Sequence, residues 1–232
     1  MRTISFCLTL LICLALPAIP QTGSQDAKLP LAAVVVGIDH YNPNSGLPDL
    51  KWAQNDAAQM VAALQKLHYD VKTISEKDAT ASEILRVIGE QGKLLTPARG
   101  NAKQGTFVFY FSGHGTSESG SNYLVTANAS RERLARESLG IDEIQRKLAG
   151  TPALRKVLLL DACRAAIRNM DDVPEKFAEF KAADGESILL AAPFGESTQQ
   201  RSRKRITGSS RYAPSRSRLG RAIRAAHEVQ SG

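Results

Sequence analysis

Cysteine is scarce in this chain, with three residues in 232, at positions 7, 13 and 163. Aromatic residues make up only 6% and tryptophan occurs once. No His, Cys and Asp cluster has zinc-ligand spacing, so the motifs give no case for a metal centre or other cofactor. The basic C-terminal stretch has only Tyr212 for stacking on bases and no recognisable nucleic-acid module, so no nucleic-acid partner is expected. Two of the three cysteines lie in one N-terminal segment. Met1-Arg2, the apolar stretch from Ile4 to Leu16, Pro17 and the polar Gln21-Thr22-Gly23-Ser24-Gln25 read as a secretory signal over residues 1–24. The apolar part is too short to span a bilayer, and Cys13 lacks the small preceding residue of a lipoprotein signal. A secreted or periplasmic protein without a stable membrane span is expected. Loss of the leader takes Cys7 and Cys13 with it and leaves Cys163 alone. An internal disulfide is then excluded, and an unpaired thiol in an oxidising compartment is a liability unless it works.

The formal charge of +7 is unevenly distributed. Residues 1–200 hold 21 basic and 22 acidic side chains, whereas residues 201–232 hold nine basic and one acidic. The body is electrically neutral. The tail, 199–232, lacks apolar periodicity and reads as disordered. At this length one α/β domain with a substantial core is expected, over about residues 30–198.

Within that span, strand-like and helix-like segments alternate. Leu31 to Ile38, Val71 to Ile74, Thr106 to Phe111, Val157 to Leu160 and Ser187 to Ala192 are short apolar runs of the kind buried on both faces of a parallel sheet. Leu50 to Leu67 carries Leu50, Ala53, Ala57, Met60, Val61, Leu64 and Leu67 at helical spacing. Thr80 with Glu83 is a capping-box pattern opening a helix through Leu95. Ile141 to Leu148 reads as a further helix, and Tyr123 to Thr126 as a short strand or hairpin edge. Arg164 to Gly185 reads as an exposed polar loop with a short helix. Such alternation implies right-handed crossovers and a sheet covered on both sides.

Two segments carry the chemistry. Tyr110-Phe111-Ser112-Gly113-His114-Gly115 and Leu158-Leu159-Leu160-Asp161-Ala162-Cys163-Arg164 each put a reactive side chain directly after a strand-like run. Parallel sheets gather their sites at the carboxyl ends of the strands. If the two strands are neighbours, His114 and Cys163 converge although 49 residues separate them. Read singly, Cys163 is a small buried hydrophobe and His114 a turn residue between two glycines. Read together, they form a nucleophile and its base. The Asp-Ala-Cys-Arg segment, with a histidine about 50 residues upstream, resembles the caspase signature with Asp in place of Gln. On these residues the chain resembles a caspase-like domain, peptidase family C14, nearer to metacaspases and bacterial caspase-like proteins than to animal caspases.

The resemblance implies the caspase-hemoglobinase fold, a three-layer α/β sandwich with a mostly parallel central sheet flanked by helices. It also implies a cysteine endopeptidase acting on proteins or peptides, with Cys163 as nucleophile and His114 as general base and acid. The backbone N–H groups of Gly115 and Cys163 would form the oxyanion hole, and Gly113 and Gly115 would let the substrate backbone approach closely. Metacaspases are similar at Asn55-Asp56-Ala57, where their Asp lines the S1 pocket, and at Ser112 and Asp161. Carboxylates in that pocket favour Arg or Lys, whereas animal caspases use Arg there and take Asp. Taken alone, Asp56 reads as a solvated helix residue and Asp161 as a loop anchor. His40, His68 and His227 receive no role. After Ile188-Leu189-Leu190-Ala191-Ala192 the chain departs from the family: Arg201-Ser202-Arg203-Lys204-Arg205 stands where a Gly-rich turn and a closing helix and strand are expected, as in an altered or truncated domain. The competing class is a non-catalytic caspase-like binding or scaffold protein.

Overall fold

The computed structural model describes residues 29–96, 104–163 and 181–190. The leader, most of the 164–185 loop and the basic tail lie outside them. The strands are β1 (Leu31–Gly37), β2 (Asp70–Ile74), β3 (Thr106–Glu118), β4 (Ser121–Leu124), β5 (Leu139–Gly140), β6 (Arg155–Cys163) and β7 (Glu186–Leu190). The helices are α1 (Ala53–Lys66), α2 (Ala81–Gly92), the single turn α3 (Leu134–Glu137) and α4 (Ile141–Ala149).

The seven strands form one mixed sheet. Parallel pairs run β2-β1-β3-β6-β7, and β4 and β5 add antiparallel pairs on the far end of β3. The sheet expected to be mostly parallel thus carries an antiparallel extension, because Ser119 and Gly120, both at positive φ, turn the chain back on β3.

Side-chain alternation along the strands supplies two cores. On one face Phe107, Phe109 and Phe111 pack with Val34, Val36, Leu158 and Leu160 under Ile84 and Ile88 of α2 and Ile144 and Leu148 of α4. On the other, Val108, Tyr110, Val35, Val157 and Leu159 pack under Ala57, Met60 and Leu64 of α1. The helices therefore cover both faces of the sheet.

Local chemistry explains the helix ends. Thr80 Oγ1 accepts the Glu83 N–H at 3.2 Å, the N-cap bond read from the sequence. α2 stops at Gly92, and Lys93–Leu95 continues as a 3₁₀ turn. α1 begins at Ala53 rather than Leu50, which lies ahead of the helix with its N–H on the Asp39 carbonyl at 2.7 Å. Its first amides find a remote cap instead. Buried Asp39 accepts Ala53 N–H at 2.7 Å and Gln54 N–H at 3.3 Å.

Gly37, at the end of β1, lets this helix start press against the sheet. A Cβ there would lie 2.6 Å from the Ala53 carbonyl oxygen and 2.7 Å from the Ala57 Cβ. Gly37→Ala is expected to push α1 outward and cost about 1–3 kcal/mol of stability, measurable by urea denaturation as a lower midpoint with an unchanged slope.

Candidate active site

Register builds the site. Gly37, Ser112 and Asp161 lie side by side across β1, β3 and β6, and two residues further His114 is the Cα partner of Cys163. Neighbouring strands are spaced about 4.8 Å apart, so the two positions are one interstrand step apart. The sequence reading placed both residues just beyond their strands. Instead β3 continues through His114 to Glu118 and β6 through Cys163, since each strand provides the other's hydrogen-bond partners out to that point and β4 takes over from Gly115. His114 is therefore a strand residue and not a turn between glycines.

His114 is fully buried. Its Nε2 lies 2.8 Å from the carbonyl oxygen of Pro48, which can only accept, so Nε2 carries the hydrogen. In the neutral ring the basic lone pair is then on Nδ1. The backbone N–H of His114 donates to the hydroxyl of Tyr41 at 2.8 Å, and the Tyr41 ring stacks on the imidazole with centroids 4.8 Å apart and planes at 27°.

Gly113 lies against aromatic side chains. A Cβ there would lie 2.8 Å from the Phe111 ring and 3.1 Å from the Tyr41 hydroxyl. The missing side chain makes room for the protein's own aromatic residues.

The acidic residues come together on the α1 side of the sheet. Ser112 is buried and Asp161 half-buried on adjacent strands, and half-buried Asp56 sits in the first turn of α1. Burial, then the charges of Asp161 and Asp39, push the Asp56 carboxyl up to about 6, against a smaller opposing hydrogen bond from Asn55. Buried Tyr110 lies beneath. Its phenol is raised by burial first and then by Asp161 and Asp56, while a hydrogen bond with Ser112 acts the other way.

Three features were not read from the sequence: Tyr41, the Pro48 carbonyl, and Glu76. The Glu76 carboxylate accepts the backbone N–H of Asp39 at 2.5 Å, that of His40, and the Gln54 side-chain amide at 2.5 Å. It also pairs with His40 Nδ1 at 3.3 Å and raises that imidazole's proton affinity. His40 thus takes part in a loop anchor. A cavity of about 460 Å³ lies on the β2 side of α1, lined by Gly37, Gln54, Ala57, Ala58, Thr73 and Glu76 among others, away from the strands carrying His114 and Cys163. Among the described residues no group of three or more His, Cys, Asp or Glu could hold a metal ion, and no helix is long and apolar enough to cross a membrane.

Residues 31–217 match the family described as the caspase domain, peptidase family C14, and the chain belongs to that family. A solved structure of protein GSU0716 from Geobacter sulfurreducens is similar at 22% identity with a TM-score of 0.46, over 59% of this chain and 52% of that one, so the match spans about half of its length. No curated protein matches.

The Asp56 shift has a sign that can be measured. The folded protein holds this proton more tightly than the unfolded chain, so the stabilisation is full below about pH 4 and is lost as pH rises through about 6. Carboxyl ¹³C titration should locate the Asp56 midpoint near 6, and Asp161→Asn should lower it without restoring the ordinary range, since burial remains the larger cause.

Proposed function

We propose that the protein is an exported cysteine endopeptidase that uses His114 and Cys163 and cleaves after Arg or Lys. The observation that carries this reading is the β3–β6 register, in which His114 and Cys163 are paired, together with the Nε2–H bond to Pro48 that leaves Nδ1 as the proton acceptor. In this mechanism the Cys163 thiol passes its proton to Nδ1 and the thiolate attacks the scissile carbonyl. The oxyanion would be held by the N–H groups of Gly115 and Cys163, which must first give up their partners at the end of the β3–β6 ladder, each such donor contributing about 3 kcal/mol to the transition state. The imidazolium then protonates the leaving amine, and water releases the acyl group by the reverse relay. The Pro48 carbonyl favours the imidazolium because a charged N–H donates more strongly.

Specificity rests on Asp56, Ser112 and Asp161. Burial and the charges of Asp161 and Asp39 all raise the proton affinity of Asp56, and a guanidinium or ammonium from the substrate would offset them. A bound cation would pull the Asp56 proton off. KM for Arg substrates should therefore rise as pH falls below about 6, while an uncharged P1 residue should show no such limb.

Cys163→Ala is expected to lower peptide hydrolysis by on the order of 10³-fold or more and to abolish labelling, with folding intact. The deciding comparison uses two peptide acyloxymethyl ketones, one carrying Arg and one Asp. Labelling of Cys163 by the Arg probe in preference to the Asp probe is the expected result. Preference for Asp would overturn the pocket assignment, and a folded protein that neither probe labels would favour the binding or scaffold class.

A further inference from the structure

The environment of His114 singles out a residue outside the Cys–His pair. Tyr41, in the loop after β1, is 5% exposed and approaches His114 twice. Its hydroxyl accepts the His114 backbone N–H at 2.8 Å, and its ring lies against the imidazole at 4.8 Å. The same hydroxyl makes a further close approach. The space a side chain at Gly113 would need is partly held by that hydroxyl, 3.1 Å from the Cβ position.

We infer that Tyr41 is a positioning residue for His114: its hydroxyl fixes the backbone at the histidine and its ring face fixes the plane of the imidazole. This rests on the reading of His114 as the catalytic base. Beyond Ser112 the β1 ladder has ended, so the peptide at His114 no longer has β1 beside it. The Tyr41 hydroxyl supplies an acceptor there. Nε2 is tethered to Pro48 by one hydrogen bond, about which a ring can still swing, and the stacked phenol limits that swing. The loop is itself anchored, with Asp39 and His40 amides on Glu76 and the Tyr41 N–H directed to Asp49 Oδ1 at 3.4 Å. Both contacts on His114 thus come from one tethered segment. A proton-transfer group displaced by about 1 Å can lose on the order of 100-fold in rate.

Two variants of the full chain separate the hydroxyl from the ring. Tyr41→Phe keeps the stack and removes the acceptor, and Tyr41→Leu removes both. Their kcat on an Arg-peptide substrate should fall about 3- to 10-fold and on the order of 100-fold respectively, with KM within about twofold of the parent. In ¹⁵N spectra the parent should show a slowly exchanging His114 Nε2–H in the Nε2-protonated tautomer. Tyr41→Phe should keep that signal but speed exchange of the His114 amide, and Tyr41→Leu should average the two tautomers. Unchanged kcat, amide exchange and imidazole signal in Tyr41→Phe would overturn the role of the hydroxyl. An unchanged imidazole signal in folded Tyr41→Leu would overturn that of the ring. A parent protein inactive on every Arg and Lys substrate would refute the peptidase reading instead, and the imidazole and amide spectra would still decide the positioning of His114.

Discussion

The in-register parallel pairing of β3 with β6 is the constraint on which the rest depends. It runs over nine positions, from Thr106 opposite Arg155 to His114 opposite Cys163. A slip of two residues would keep every apolar side chain on its face and set Cys163 opposite Ser112 instead. Burial alone does not forbid that slip, because both faces of these strands are apolar. The register is held at the amino ends of the two strands, where Arg155 N–H is bonded to the Gly105 carbonyl and Leu154 N–H to the Gln104 carbonyl. The geometry of two reactive residues is thus set partly by backbone bonds at the opposite edge of the sheet.

A second constraint is the loop between β1 and α1, which carries no regular structure beyond a 3₁₀ turn at Pro43–Ser45. It delivers a stacked ring and a carbonyl to one imidazole and a cap to the start of α1, and Glu76 gathers its first amides. The two aspartates near the start of α1 divide the electrostatic roles. Asp39 is satisfied by helix amides and serves architecture. Asp56, in the first turn of α1, has its proton affinity raised by burial and by the charges of Asp161 and Asp39.

Much of the architecture was legible in single segments. The Val-rich run at 31–38, the capping Thr80 and the amphipathic 141–148 stretch each became the element that its own periodicity implies. Boundaries differed where a distant group intervened: α1 starts at the Ala53 and Gln54 amides that the Asp39 carboxylate caps, and β6 and then β4 carry β3 past Phe111 to Glu118. Asp56, Ser112 and Asp161 were brought together by the resemblance to metacaspases, and the structure places them on one face. Their burial and mutual repulsion came only from packing.

What the sequence by itself determined is the alternation of strands and helices and the two segments bearing His114 and Cys163, because periodicity and residue type are local properties that survive without neighbours. The tertiary structure alone decided which atoms surround the imidazole. The Pro48 carbonyl is a backbone group with no side-chain signature, and it meets His114 across 66 residues; the Tyr41 hydroxyl does so across 73. Contacts of that span depend on how an irregular loop folds back over a sheet edge, and no period or propensity within the loop encodes the distance it must close.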